Sequence, residues 1–321
     1  MYAPGNAETA DAMDEASFSV ALVDTSKPNI ARVYDHLLGG KDNFAADREE
    51  AARLLSIYPE MPKRAAENRL FLARAVSWLA GRGIRQFLDI GSGLPTAQNT
   101  HQVAQRVNPS CRVVYVDNDP VVVVHGRALL AGNGVAAVQG DARDLASILT
   151  SPALQSLIDL RQPVAIILAM ILHFLDADTV TQLMATFGEW LAPGSYVVLS
   201  VGCGDEETGG RLTREYKAGT LYNHTPEQIA GFFDGLELVG PGLVDAREWE
   251  PNANTVQPAQ YRDGRILAGV GKKVGVLMAR QLWVPKTYAT WADSLRGAGR
   301  FHPVSGGWKA GHGGMIFGLW A

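Results

Sequence analysis

The chain has 321 residues, 47% of them hydrophobic, and a formal net charge of −4. This is enough apolar material for one large domain with appendages, or for two domains. The mild acidity gives no global footprint for nucleic acid or an anionic membrane.

The longest apolar run, Val164 to Leu172, is too short to span a bilayer. Cys111 and Cys203 lack metal-ligand spacing and read as ordinary thiols of a reducing compartment. No basic segment followed by an apolar run marks a signal peptide, so a cytoplasmic protein without a bound metal is expected. Residues 1–27 are polar and acidic and predict a mobile tail.

Ile30, Val33, Tyr34, Leu37 and Leu38 recur with the spacing of an amphipathic helix. Asn29 reads as its N-cap and Gly39-Gly40 as its stop, with Arg32, Asp35 and His36 on the opposite face. Lys41 to Phe44 form a polar turn, and a second helix runs to about Ser56. Pro59 and Pro62 interrupt, and a third helix runs from about Lys63 to Ala80, closed by Gly81. Residues 28–83 therefore predict a helical cap placed before the first strand.

From Ile84 onward strands alternate with helices. Strands are predicted at about 85–90, 112–116, 135–139, 164–169 and 196–201. Helices fall at about 97–107, after Asp119-Pro120, between Asp144 and Leu160, and at 178–191. Val121, Val124, Ala128 and Leu129 read as the buried stripe of the helix after Pro120. This alternation argues for a doubly wound, mostly parallel α/β sheet. Helices follow at Gly209–Gly219 and Thr225–Phe233. Leu236–Leu243 and Ile266–Val270 then suit an antiparallel edge hairpin, closing a domain over 84–273. Residues 274–321 carry four tryptophans and nine glycines without periodicity and form an atypical extension.

Four strand ends carry the chemistry. The first strand ends in Gly91-Ser92-Gly93, where backbone without Cβ can approach a ligand and the next helix presents its N–H groups. Thr96 stands where a dinucleotide fingerprint needs its third glycine, which favours a ligand without a pyrophosphate. Asp117 ends the second strand and can accept hydrogen bonds from ribose hydroxyls, while Asp119 caps the following helix. Gly140-Asp141 ends the third strand. There a carboxylate can accept from an adenine amine, and the Ala142 N–H can donate to a ring nitrogen. His173 follows the fourth strand and can orient a substrate or act as a base. Met170 beside it reads as packing.

The stretches Asn29 to Phe44, Asn68 to Val76, Gln86 to Thr96, Val113 to Pro120 and Ala192 to Tyr196 together resemble a bacterial S-adenosyl methyltransferase family. That family belongs to the class I methyltransferases, whose fold is Rossmann-like. The resemblance covers residues 28 to about 273, and its pattern stops near Gly271 to Lys273. It implies S-adenosylmethionine as cofactor, with Gly91, Ser92 and Gly93 under its methionine part and Asp117 on the ribose. It places Asn118 near the adenine, Asp141 and Ala142 on the adenine edge, and Ala169 and His173 at the reactive end. Tyr34, Lys41 and Asn43 either face cofactor or substrate from the cap or serve helix packing. His173 and Asp35 are the base candidates.

The expected reaction is in-line methyl transfer to a small molecule. The fourth strand ends in Ala169-Met170-Ile171-Leu172 and not in the Asn-Pro-Pro-Tyr type motif of amino-directed DNA methyltransferases, so no nucleic acid and no membrane partner is expected. The competing readings are a binding protein without chemistry and a nicotinamide-dependent oxidoreductase. The oligomeric state is left open.

Overall fold

The computed structural model describes residues 24–96, 98–129, 132–252 and 265–275. Most of the expected tail over 1–27 and of the extension over 274–321 therefore lies outside the described residues.

The chain opens with three helices, α1 (Ile30–Leu37), α2 (Ala45–Ile57) and α3 (Met61–Gly81). The Asn29 side chain accepts hydrogen bonds from the Ala31 and Arg32 N–H groups, satisfying donors that a helix start leaves orphaned. Gly39 adopts φ +78° and ends α1, a conformation that costs a residue with a Cβ far more. The polar face of α1 is not solvated. Arg32 and Asp35 are both buried. The Arg32 Nε donates to Asp47 Oδ2 at 2.9 Å, and the same carboxylate accepts from the N–H groups of Asn29 and Phe44, each at 2.8 Å. One buried acid thus fastens α1 to α2.

Five parallel strands follow: β1 (Gln86–Ile90), β2 (Arg112–Asp117), β3 (Val135–Gln139), β4 (Ala165–Ala169) and β5 (Tyr196–Cys203). Their connections carry α4 (Thr100–Val107), α5 (Pro120–Leu129), α6 (Leu145–Thr150), α7 (Pro152–Leu157) and α8 (Ala177–Trp190). Beyond β5 come α9 (Glu206–Glu215), α10 (Pro226–Gly231), β6 (Glu237–Leu238), β7 (Val244–Asp245) and β8 (Arg265–Lys272). Among the described residues the sheet has the order β3-β2-β1-β4-β5-β8-β6, with β7 also on β8.

The expected antiparallel edge is present, since β6 and β8 pair antiparallel at that end of the sheet. β8 pairs antiparallel with β5 along its whole length, while β6 and β7 are two-residue pieces on its far side. Gly240-Pro241 interrupts the segment expected as one strand, and proline offers no N–H to a ladder. The run Ile266–Val270 is buried throughout, as an interior strand requires. The stripe of α5, by contrast, is out of phase with expectation. Val122 and Val123 are buried, whereas Val124 and Ala128 are exposed and the Leu129 side chain lies outside the described residues. A run of four valines has no periodicity of its own, so the cap at Asp119 sets the phase.

The C-terminal half of α3 belongs to the sheet core. Phe71, Val76 and Leu79 pack with Phe87, Val113 and Ile167, and Trp249 meets Phe71 edge-on at 5.4 Å. Arg74 donates to the carbonyls of Trp249 at 3.0 Å and Ala246 at 2.6 Å, tying α3 to the chain after β7. No helix of the described residues is long and apolar enough to cross a membrane. The Asp47→Ala variant strands the buried Arg32 guanidinium and two backbone donors. It is expected to lower stability by about 3–5 kcal/mol, read from the urea midpoint. A loss below about 1 kcal/mol, the scale of an exposed pair, would refute this role.

Candidate functional site

β1 has β2 on one side and β4 on the other, so consecutive connections diverge there and leave a crevice at the strand tips. A cavity of about 540 Å³ occupies this crevice. Its floor is the ends of β1 to β5 and the start of β8, and its roof comes from α1, α2, the start of α3, and α9 with the loop after it. The roof includes an apolar cluster built on Val33, Ala51 and Leu54, with Leu37, Met61, Leu212 and Tyr216 packed against it.

The glycine turn is shaped by its neighbours. Gly91 has φ +70°, and a Cβ there would collide with the Ile171 side chain from the adjacent tip. Gly93 has φ +66° with nothing within 4 Å of a Cβ position, so it leaves open space. The N–H groups of Gly91 and Ser92 both donate to the Val116 carbonyl, at 2.8 and 3.1 Å. The Gly93 N–H donates to Asp117 Oδ2 at 2.8 Å.

The expectation that the following helix aims its N–H groups at the ligand is corrected. α4 starts only at Thr100, and none of its residues lines the cavity. Its entry is filled locally: Asn99 Oδ1 accepts from the Thr96 N–H and Gln102 Oε1 from the Asn99 N–H, both at 2.9 Å. Pro95 and these side-chain caps delay the helix, so no phosphate cradle forms.

Asp117, Asn118, Asp141, Ala142, Ala169 and His173 all line this cavity together with Gly91, Ser92 and Gly93. Asp117 Oδ1 accepts from the Asp119 N–H at 3.0 Å, and Asp119 caps α5 through the Val121 N–H at 2.7 Å. Burial raises the Asp117 carboxyl above the usual carboxylate range. Asp141 is gripped by Arg143 through Nε at 2.9 Å and Nη2 at 2.6 Å, and these hydrogen bonds hold its pKa below the usual range. A Cβ at Gly140 would press on Ile148 at 2.7 Å, so that glycine serves packing.

Met170 takes φ +59°, unusual for a residue with a side chain, and turns the chain so that Ile171 meets Gly91. His173 is buried, and its Nδ1 has no hydrogen-bond partner among the described residues. Burial, with His224 adding repulsion, lowers its pKa to about 3. The ring is therefore neutral at physiological pH.

The cap residues divide. Tyr34 lines the cavity; its hydroxyl donates to the Ala65 carbonyl at 3.3 Å and accepts from Asn68 Nδ2 at 3.0 Å. Asn68 Oδ1 in turn accepts from the Ser200 hydroxyl at 2.7 Å, so a buried relay links α1, α3 and β5. Asp35, Lys41 and Asn43 do not line the cavity. Asp35 Oδ2 accepts from the Asp42 N–H at 3.0 Å and from Asn43 Nδ2 at 2.8 Å. A Cβ at Gly40 would collide with the Asp35 carboxylate. Asp35 and Asn43 thus hold the turn between α1 and α2, in which Lys41 is exposed.

The lining residues that the sequence reading gave no site role include Asp89, Arg69 and Tyr216. Asp89 is buried, accepts from the Thr100 hydroxyl at 2.6 Å, and has its pKa pushed up to about 6 by burial. A lone acid inside an otherwise apolar strand was the available signal. Arg69 donates to the Gln98 carbonyl at 3.3 Å. Among the described residues it is the cavity-lining arginine with no carboxylate within ion-pair distance; Arg64, Arg143 and Arg265 each have one. Tyr216 ends the cap helix α9, whose docking against α2 leaves no local trace.

A family model described as S-adenosyl methyltransferase matches residues 17–274. The chain belongs to that family. It is an S-adenosylmethionine-dependent methyltransferase of Rossmann-like fold. A crystal structure of a DUF574 family protein from Streptomyces avermitilis MA-4680 is 40% identical, with a TM-score of 0.72, covering 78% of this chain and 99% of the other. A protein described as a candidate methyltransferase from Thermobifida fusca YX is 45% identical, also with a TM-score of 0.72, covering 78% and 97%. No curated protein matches. In this methyltransferase Gly93→Val puts a branched side chain into the open turn at a left-handed φ. It is expected to weaken S-adenosylhomocysteine binding by about tenfold or more, read by calorimetry. Unchanged affinity would show that the turn does not touch the ligand.

Proposed function

We propose that the cavity binds S-adenosylmethionine and a small-molecule acceptor side by side and that methyl transfer runs by in-line displacement. The observation that carries this reading is the convergence of Asp89, Asp117 and Asp141 on one cavity beside the open backbone of Gly93. The cofactor supplies a methyl group on a sulfonium, already activated for displacement.

The chain's own task is to hold and orient. Gly91, Ser92 and Gly93 would run beneath the methionine part, and Asp117 would receive the ribose hydroxyls on its remaining lone pairs. Asn118, Asp141 and Ala142 would meet the adenine. Asp89 and Arg69 match the ammonium and carboxylate of the amino-acid end in sign. Ala169 and His173 flank the reactive end. The roof of α1, α2 and α9 over the tips supports an acceptor small enough to be enclosed. Spending both the Gly91 and Ser92 N–H groups on Val116 speaks against a nicotinamide dinucleotide, whose pyrophosphate needs such donors.

His173 suits a late proton acceptor. Its low basicity rules out removing a proton in advance, yet a hydroxyl being alkylated becomes far more acidic as the new bond forms.

The raised pKa of Asp89 has two linked consequences. Below pH about 6 this carboxyl is protonated in the free protein and cannot pair with an ammonium. S-adenosylhomocysteine affinity is therefore expected to fall as pH drops through 6, and Asp89→Asn to flatten that dependence while weakening binding at pH 7.5. The folded state holds the Asp89 proton more tightly than the unfolded chain, so the group stabilises at low pH and loses that contribution as pH rises through 6. Above that pH Asp89→Asn is expected to gain stability on the order of 1–3 kcal/mol. Calorimetric titrations from pH 5 to 8, with urea melts of the free protein, check both. A variant that binds like wild type at pH 7.5 would remove Asp89 from the site.

A further inference from the structure

Between β3 and α6 the backbone closes a turn, the Asp144 N–H donating to the Asp141 carbonyl at 2.9 Å. Arg143 folds back on the Asp141 side chain within it. Asp141 Oδ1 accepts from the Arg143 backbone N–H and from its Nε, each at 2.9 Å. Oδ2 accepts from Nη2 at 2.6 Å and shares Nε at 3.1 Å. The same fork recurs at Asp159 with Arg161 and at Asp245 with Arg247, so the fork itself is a local habit of an Asp-x-Arg turn. Place is what differs. Asp159 precedes the start of β4, at the end of the sheet away from the tips, and neither Asp159 nor Arg161 lines the cavity. Asp245 is buried and lies against Arg265 as well. Asp141 and Arg143 both line the cavity, and the Asp141 side chain is 34% exposed.

We infer that Arg143 is a positioning residue for base recognition: it fixes the Asp141 carboxylate so that one oxygen accepts from a purine 6-amino group and turns away a 6-oxo purine. The inference rests on the reading of the cavity as a methyl-donor site with adenine at the β3 tip. A carboxylate offers about four lone-pair positions. Arg143 takes both on Oδ1 and, through Nη2, one on Oδ2. The position left on Oδ2 can accept one donor and has no proton to give. An exocyclic amine fills it. A 6-oxo group in the same place sets a carbonyl oxygen against a carboxylate, with no hydrogen between them.

Losing Arg143 has two opposing effects. An unpaired carboxylate is the stronger acceptor, because its charge is not shared. It also rotates freely, and where it is exposed water occupies it. In a partly wet turn solvent screening weakens the first effect, so the lost preorganisation decides the outcome.

The test is calorimetry on the full chain with S-adenosylhomocysteine and S-inosylhomocysteine, which differ at the purine 6-position and in the N1 proton that goes with it. The wild type is expected to prefer the adenosyl ligand by about thirtyfold. Arg143→Ala is expected to cut that preference to about threefold or less. Arg143→Lys is expected to resemble it, because an ammonium keeps the charge without the planar fork. Arg161→Ala, which breaks the matching fork away from the cavity, is expected to leave the preference as it is. Once Asp141 has been replaced by alanine, removing Arg143 is expected to change nothing further. A preference retained by Arg143→Ala, kept by Arg143→Lys or lost equally in Arg161→Ala overturns the inference. So does a further loss in the Asp141→Ala background, which would mark a direct contact between guanidinium and ligand, and so does equal binding of the two ligands by the wild type. Failure to bind S-adenosylhomocysteine at all would instead defeat the reading of the cavity itself.

Discussion

The position of β1 between β2 and β4 governs this molecule. Because the chain builds outward to β3 on one side and restarts at β4 on the other, the connecting segments part above β1 and expose its tip. Every residue argued to act here is at that parting or faces it. The two flanking tips also interlock. Ile171 closes onto Gly91, and Met170 accepts a left-handed backbone to bring it there. A side chain at Gly91 would therefore disturb the β4 tip as well as its own turn.

The electrostatics of the crevice follow from its dryness. Burial raises the carboxyls of Asp89 and Asp117 and lowers the imidazole of His173, so each group is held closer to its neutral form than in water. Such a site is costly for the free protein and favourable for a ligand that brings complementary charge. Charges away from the tips are handled differently. Asp47 and Glu50 are buried in the cap, where Asp47 holds Arg32 and Glu50 pairs with Arg53 and accepts from the Lys217 N–H at 2.8 Å. Glu50 thus ties α2 to the segment after α9, and Asp47 ties α1 to α2. These acids are structural fasteners, and the tip acids face the cavity.

Several sequence features have one role in isolation and another in context. Asp35 and Asn43 lie in the most distinctive stretch of the chain, yet they serve a turn and not the cavity wall. Arg32 reads as a solvated face of α1 but is buried against Asp47. The same polar residue can cap, clamp or contact a ligand, and spacing along one helix does not distinguish these.

The sequence by itself determined the alternation of strands and helices, the caps at Asn29 and Asp119, and which strand ends carry Gly91, Asp117, Asp141 and His173. These are local properties, set by periodicity, backbone preference and side-chain caps within a few residues. Only the tertiary structure decided that β8 enters the sheet beside β5, that α9 joins α1 and α2 as a roof, and that Asp89 and Arg69 share a cavity. Those outcomes depend on contacts between residues far apart in the chain. Neither hydrophobic period nor turn chemistry encodes which distant surface an element will cover.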